Sequence, residues 1–195
     1  MNTTRNMAYH KGLLTNSKWL VLICMIYTTC SIAAAAVSYK FVNVFNLTVP
    51  AAAIIFPICF FILDAVAEVY GYKEARKLIW FGLFCETLFS VLLEIVIRLP
   101  SSKGYPFQNE YFDIFGPLLR FITSGILADI CGFFINIYII SKFKVLLNGR
   151  YFWLRSLFAS SIGEFFMVTI IVIFAYAGTT NMHEFLKMMI STYIM

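Results

Sequence analysis

The sequence predicts an all-α membrane protein, a polytopic bundle of six transmembrane helices in which the sixth helix is short or truncated. Its 195 residues are 61% hydrophobic and only 13% charged, with a mean hydropathy of +0.83. A soluble domain usually carries about 25% charged residues. A water-soluble globule of this size would expose much of its apolar surface, and a disordered chain would be poor in apolar residues. Both of those classes are therefore excluded.

Long apolar runs give the number and position of the predicted spans. A bilayer core about 30 Å thick needs roughly 20 helical residues, and such continuous runs are unlike the alternating segments of strand barrels. Five runs qualify and a shorter sixth reaches the C-terminus: Trp19–Ser38, Leu47–Val69, Leu78–Leu99, Pro117–Ile140, Phe152–Ala177 and Met182–Met195. The aromatic-rich loop Pro100–Gly116 is expected to lie at the membrane interface. Residues 1–195 are expected to form one integral membrane domain.

Lysine and arginine in the loops predict the orientation of the bundle. Nine of these residues fall on the N-terminal side of the membrane, namely Arg5, Lys11, Lys18, Lys73, Arg76, Lys77, Lys142, Lys144 and Arg150. Three fall on the other side, namely Lys40, Arg98 and Lys103. Because short cytoplasmic loops carry an excess of positive charge, we expect a plasma (inner) membrane protein with a cytoplasmic N-terminus. The net charge of +5 is too small to indicate a nucleic-acid partner. The lipid bilayer is the expected partner, and homo-oligomerisation is left open.

The sequence indicates no metal site, no cofactor and no disulfide framework. Its five cysteines, all inside predicted spans, lack paired spacing: Cys24, Cys30, Cys59, Cys85 and Cys131. It also lacks the zinc-binding pattern His-Glu-x-x-His. An intramembrane hydrolase with an Asp64–Asp129 dyad is disfavoured, because Asp129 has no glycine-flanked motif. We therefore expect no enzymatic activity.

Ionisable residues inside the predicted spans are the candidate functional residues, because charge in hydrocarbon is costly. Asp64 and Glu68 are four residues apart and share a helical face. Arg155 lies at a similar depth and is the natural partner of these acids, with Glu68 suited to a structural ion pair and the deeper Asp64 to function. Arg120 and Glu94 lie nearer the outer surface, where they can pair with each other or extend to the interface, and structural roles are expected for both.

Three further acids fall near the middle of the membrane, namely Glu86, Asp129 and Glu164. No intramembrane lysine can neutralise all three, so some must be protonated, hydrogen-bonded or exposed to water. Pro57, near the middle of span two, predicts a kink or break of the kind that transporters often place beside their substrate. The candidate substrate-binding residues are Asp64, Glu86, Asp129, Asn136 and Glu164. For the serines and glycines of spans four and five, helix packing is the favoured interpretation.

The segment Phe56–Phe81, FPICFFILDAVAEVYGYKEARKLIWF, resembles the signature of the queuosine precursor transporter family, also called the vitamin-uptake-transporter-like family. The shared residues are Asp64, Glu68, Tyr70, Gly71, Arg76 and Lys77. Further matches follow in the order expected for the family: Arg120, Ser124, Asn136, Trp153–Arg155, Ser160, Gly163 and Glu164. The resemblance thus extends from about span two to span five.

Three departures from the family pattern accompany this resemblance. The family tends to have a polar residue near Phe133 and an aspartate near Met167, and both positions are apolar here. Asp129 and Glu164 are then candidates to substitute for them. Members also usually continue through a further helix containing lysine and proline, which agrees with a truncated last span.

The resemblance implies six membrane helices and uptake of 7-deazaguanine compounds into the cytoplasm. These are 7-cyano-7-deazaguanine, 7-aminomethyl-7-deazaguanine or queuine, and the expected mode is secondary transport. A carboxylate can accept the adjacent N–H donors of such a base, and aromatic side chains can stack on its ring. The alternative is a substrate-binding membrane subunit of an ATP-driven vitamin-type transporter. That subunit would need an ATP-hydrolysing partner, because the chain lacks the GxxxxGK[ST] loop.

Overall fold

A computed structural model describes residues 2–38, 40–44, 47–102, 105–116 and 118–176 of the chain. Within these ranges the protein is helical except for one short hairpin and the connecting turns. The elements, in chain order, are α1 (Asn2–Val37), β1 (Phe41–Val44), β2 (Leu47–Pro50), α2 (Ala52–Val69), α3 (Tyr72–Ile97), α4 (Gln108–Phe115), α5 (Leu118–Leu146) and α6 (Phe152–Tyr176).

Five of these helices are long and apolar enough to cross a membrane. The qualifying segments are Lys18–Val37, Ala52–Val69, Tyr72–Ile97, Thr123–Leu146 and Phe152–Ile171. Large apolar side chains such as Trp19, Phe84 and Ile95 are exposed on the outside of the bundle, as expected where the surrounding solvent is lipid. The predicted all-α polytopic membrane bundle is therefore confirmed. The predicted sixth span, Met182–Met195, lies outside the described residues.

The predicted start of span two was wrong. Leu47–Pro50 forms strand β2, which pairs antiparallel with β1 from Phe41↔Pro50 to Val44↔Leu47. The apolar residues of this strand run directly into the helix that follows, so the sequence showed one continuous hydrophobic stretch. The outer loop also contains a helix, α4, which was not predicted.

Of the kink or break predicted at Pro57, the structure contradicts the break. α2 begins only at Ala52 and continues through Pro57 to Val69, so the proline lies in the second turn rather than mid-helix. A proline there leaves one carbonyl oxygen, that of Ala53, without its helical donor. The remaining hydrogen bonds of the helix are sufficient to continue it.

Helix α5 is the centre of the bundle and packs against α1, α2, α3 and α6. Its contact with α6 is close because Gly132 and Gly163 face each other. A Cβ on Gly163 would lie 2.7 Å from the carbonyl oxygen of Gly132, and one on Gly132 would lie 2.9 Å from that of Gly163. Small residues at such a crossing let polar side chains of the two helices meet.

A tight turn connects α2 to α3 and fixes the register of the two helices. Gly71 has a φ of +90°, a conformation that L side chains rarely adopt. The backbone N–H groups of Tyr70 and Gly71 both donate to the carbonyl oxygen of Val66, at 2.8 and 3.1 Å. The acids on the last turns of α2 are consequently held at a defined position near the end of the bundle.

Candidate functional site

Asp64 lies at the centre of a cluster that joins three helices, and its side chain is completely buried. Asn136 on α5 donates its Nδ2 hydrogen to Asp64 Oδ1 at 2.6 Å. On α6, the hydroxyls of Ser156 and Ser160 both donate to Asp64 Oδ2, the latter at 3.1 Å. Both oxygens of the carboxyl group are therefore satisfied, which a buried carboxyl requires.

Helical spacing explains why these donors converge on one acid. Ser156 and Ser160 are four residues apart and lie one above the other on the same face of α6. Asn136 stands one turn from Gly132, and a Cβ on Gly163 would lie 3.0 Å from the Cβ of Asn136. The glycine crossing thus brings Asn136 and the two serines within reach of Asp64. We name these four polar residues the Asp64 cluster.

A cavity of about 440 Å³ lies between α2 and α6, directly beside the Asp64 cluster. Helix α6 packs mainly against α5 and only lightly against α2, so a groove stays open between α2 and α6. Its lining combines aromatic rings, hydroxyls and one acid: Pro57, Phe60, Phe61, Phe152, Trp153, Ser156, Leu157, Ser160, Ser161 and Glu164. Such a mostly apolar cleft with a few convergent polar groups is typical of small-molecule sites.

The two cluster serines connect the cavity to the buried acid. A hydroxyl has one proton to donate and two lone pairs that accept. Because Ser156 and Ser160 donate toward Asp64, they present acceptor lone pairs to the cavity. Ser161 also lines the cavity, but its hydroxyl donates to the backbone carbonyl of Leu157 at 2.8 Å. With Glu164, the cavity offers acceptors suited to a ligand rich in N–H donors.

Glu68 and Arg155 form a bidentate ion pair one turn from Asp64. Arg155 Nη1 and Nη2 each lie 3.1 Å from one carboxylate oxygen of Glu68. Arg155 is 2% exposed and also donates to the carbonyl oxygens of Arg150 and Gly149, at 2.9 and 3.3 Å. Lys144 on α5 donates to the backbone carbonyl of Glu68 at 2.5 Å. These contacts tie α2 to α5, α6 and the turn between them.

A second polar group lies between α1, α3 and α5. Glu86 accepts a hydrogen bond from Ser31 at 2.9 Å, and Glu86 and Asp129 are close enough to interact electrostatically. The side chains of Glu86 and Asp129 are 4% and 1% exposed, and the Oδ1 atom of Asp129 has no hydrogen-bond partner. We name Glu86 and Asp129 the acid pair. Neither residue lines the cavity.

Phe133 separates the acid pair from the Asp64 cluster. On α5 it lies four residues after Asp129 and three before Asn136, and it is 1% exposed. Its ring packs edge-on against Tyr27, with centroids 6.2 Å apart, and against Phe60, at 4.9 Å. Asp129 and Asn136 are about 10 Å apart along the helix and on nearly the same face. An apolar layer therefore lies between two polar groups that share α5.

The structure divides the five residues expected to bind substrate into three positions. Asp64 and Asn136 meet in one cluster, Glu164 lines the neighbouring cavity, and Glu86 and Asp129 form the separate acid pair. The sequence favoured packing roles for Ser156 and Ser160, and it did not single out Ser31 or Tyr27. Only the regular spacing of Ser156, Ser160 and Glu164 on α6 could have indicated a shared face.

The expected pairing of Glu94 near the outer surface takes another form. Glu94 accepts a hydrogen bond from Arg98 Nε at 2.5 Å, one turn along the same helix. The side chain of the predicted partner, Arg120, lies outside the described part of the structure. A neighbour at i+4 is already positioned to pair, so it needs no contact between helices.

Five helices long and apolar enough to cross a membrane define the chain as a polytopic integral membrane protein. A sequence model of the family described as "Putative vitamin uptake transporter" matches residues 50–195. The chain belongs to this family of transporters. The resemblance seen in the segment Phe56–Phe81 is therefore confirmed.

A curated relative gives the family a more specific description. The chain is 27% identical over 156 residues to a protein of Bacillus subtilis (strain 168) named "Probable queuosine precursor transporter". The match covers 80% of this chain and 68% of the relative. No solved structure gave a significant match.

Proposed function

We propose that the protein is a secondary transporter that brings a 7-deazaguanine precursor of queuosine into the cytoplasm. Its family and the name of its Bacillus relative support this substrate class. The single structural observation that carries the proposal is the cavity between α2 and α6, where hydroxyl and carboxyl acceptors stand beside aromatic rings.

Substrate recognition follows from the chemistry of the base. The pairing edge of a deazaguanine carries adjacent N–H donors, which one carboxylate accepts in a bidentate arrangement. Glu164 is the acid that lines the cavity, and the lone pairs of Ser156 and Ser160 supply further acceptors. Asp64 and Asn136 act from behind the serines, because their contacts decide which way the hydroxyls point.

The size and lining of the cavity suit a flat heterocycle. Its volume of about 440 Å³ falls in the range of small-molecule sites, roughly 300–1,000 Å³. Phe60 and Phe61 line it from α2, and Phe152 and Trp153 line it from α6. A ring held between these faces gains stacking and apolar burial. The aminomethyl base and queuine carry an amine cation that Glu164 can pair with.

The orientation proposed for the protein places the Glu68–Arg155 end of the bundle in the cytoplasm of the cell, at the plasma (inner) membrane. Lys73, Arg76 and Lys77 lie in the first two turns of α3 at this end, and Lys144 lies in the last turn of α5. Their positive charge follows the rule for cytoplasmic segments. Cysteine introduced at Lys73 should then be labelled by an impermeant maleimide only after the membrane is opened. Labelling in intact cells would reverse the proposed orientation.

Uptake in a host that can neither make nor import queuosine precursors tests the substrate class. The host receives each of the three bases in turn, and queuosine in tRNA is measured. We expect the wild type to restore queuosine with at least one base, and Asp64→Asn and Glu164→Gln to abolish the restoration. Glu94→Gln is the matched control, because this acid pairs with its own neighbour on α3. If none of the three bases restores queuosine with the wild type, the substrate class is refuted. If both site variants restore it fully, the site is refuted.

Purified protein in liposomes tests the transport mode. Accumulation of the base under an imposed ion gradient, with no ATP and no partner protein, is expected for a secondary transporter. Accumulation that requires ATP and a second protein would instead identify the chain as the membrane subunit of an ATP-driven system.

A further inference from the structure

The acid pair has no cationic partner among the described residues, although both of its carboxyl groups are almost fully buried. Glu86 receives one hydrogen bond, from Ser31, and Asp129 has one oxygen atom without any hydrogen bond. The ion pairs of the described residues involve other acids, namely Glu68, Glu74 and Glu94. The pair is thus incomplete in a way that the Asp64 cluster is not.

The groups around the acid pair are weak acids rather than bases. Tyr27 from α1 and Cys59 from α2 interact electrostatically with both Glu86 and Asp129, and Cys30 from α1 interacts with Cys59. None of these side chains supplies a positive charge. Two ionised carboxylates buried together in hydrocarbon would repel each other and lose their hydration. At least one of the two therefore holds a proton.

The near-complete burial of the acid pair favours a very small ligand. Glu86 and Asp129 do not line the cavity between α2 and α6, and both are almost fully buried. A nucleobase needs a cavity, whereas a proton needs only an acceptor atom. The free Oδ1 atom of Asp129 is such an acceptor.

We propose that Glu86 and Asp129 form the proton-binding site that couples substrate uptake to a proton gradient. This proposal rests on the proposed function. A proton taken from water on the outer side binds to a carboxylate oxygen of the pair, forming one O–H bond. The same bond breaks when the proton is released to water on the cytoplasmic side, so no electrons are transferred and no other reactant is needed.

The position of the pair on α5 explains how a proton can influence the substrate site. Asp129 and Asn136 lie on nearly the same face of one continuous helix, so a shift of α5 on protonation displaces both residues. Phe133 between them prevents the proton and the substrate from competing for the same acid. The proton and the substrate would thus bind at separate sites that share helix α5, and such an arrangement allows binding at one site to influence the other.

Two transport assays on the full chain in liposomes separate coupling from substrate binding. In the first, accumulation of 7-cyano-7-deazaguanine is measured with the outside more acidic by about one pH unit and the membrane potential clamped at zero. One proton per substrate then drives about tenfold accumulation in the wild type. In the second, exchange of labelled for unlabelled base is measured without a gradient.

We expect Asp129→Asn and Glu86→Gln to lose the tenfold accumulation while exchange stays within about threefold of wild type. Glu94→Gln, on the same helix as Glu86, is the matched control and should keep both activities. Asp64→Asn should lose both. Wild-type accumulation by Asp129→Asn and Glu86→Gln overturns the proposal, and so does a loss of exchange equal to that of Asp64→Asn.

An infrared measurement tests the proton site independently of any substrate. The wild-type protein without substrate should show the stretching band of a protonated carboxyl group, and Asp129→Asn or Glu86→Gln should weaken it. A wild-type spectrum without this band overturns the proton site even if the substrate class is wrong. Conversely, the band with no transport of any deazaguanine refutes the proposed function alone.

Discussion

Asp64 on α2 and Asp129 on α5 are both buried aspartates, but their surroundings differ. Asp64 receives three hydrogen bonds from two helices, so both of its oxygens are occupied and its position is fixed. Asp129 has a free oxygen and a second acid as its neighbour. A fully hydrogen-bonded carboxyl organises other groups, whereas an incomplete one has room for a ligand. We therefore propose substrate positioning for the Asp64 cluster and proton binding for the acid pair.

The largest expected effect is that of Asp64→Asn on uptake. The amide would place an NH₂ group against one or two of the three donors that now bond to Asp64. If two of these hydrogen bonds are lost, at about 1.5 kcal/mol each, uptake falls about 100-fold. Initial rates of labelled base uptake in cells check this, with the amount of protein in the membrane measured by immunoblot. Undiminished uptake would refute the role of the Asp64 cluster in positioning the substrate.

Arg155→Gln should cause the largest loss of stability. Its guanidinium is buried against Glu68, and removing one partner of a buried pair costs about 3–5 kcal/mol. Since Lys144 lies 3.8 Å from Glu68 and can compensate in part, we expect about 3 kcal/mol. Thermal unfolding in detergent measures the loss. The control is Arg98→Gln, whose exposed pair with Glu94 should contribute less than about 1 kcal/mol.

Gly163→Ala should disturb the Asp64 cluster more than the acid pair. Its new Cβ would meet the Gly132 carbonyl oxygen at 2.7 Å and push α6 away from α5. Overpacking of this kind costs about 1–3 kcal/mol, measured as a lower unfolding temperature together with weaker base binding. Gly125→Ala is the matched control, because its Cβ would meet nothing within 4 Å. Equal effects of both substitutions would argue against a close crossing at Gly132 and Gly163.

The smallest expected effect is the difference in base binding between alanine substitutions at Ser160 and Ser161, two adjacent residues that line the same cavity. Ser160 donates to Asp64, and Ser161 donates to its own helix backbone. Ser160→Ala removes one hydrogen bond of about 1 kcal/mol and should weaken base binding about fivefold. Ser161→Ala should change it less than about twofold, as expected for a position that makes no cluster contact. A larger effect at Ser161 would mean that the substrate contacts the cavity wall directly at that position.

The sequence predicted the membrane bundle well because long apolar runs and a low content of charged residues can be recognised without knowledge of tertiary contacts. It failed where a choice depended on tertiary contacts or on a strand hidden in an apolar run. Leu47–Pro50 was assigned to a helix, and Pro57 was placed mid-helix as a consequence. The pairing of Glu94 was settled by Arg98, its neighbour on the same helix turn.

The candidate site was predictable in its acids but not in their arrangement. Asp64, Glu86, Asp129 and Glu164 stand out as acids in apolar runs, and Asn136 shares a face with Asp129. Which acids meet depends on how each helix is rotated about its axis, and no pattern in a single sequence encodes that rotation. The depth of Glu68 and Arg155 was the exception, since two opposite charges at one level of the membrane have few other partners.

Equilibrium binding of 7-cyano-7-deazaguanine to purified wild type, Asp64→Asn and Asp129→Asn tests the central claim most directly. The division of roles predicts that Asp64→Asn weakens binding by more than about tenfold, while Asp129→Asn stays within about threefold of wild type. Equal losses in both variants, or a greater loss in Asp129→Asn, would contradict it.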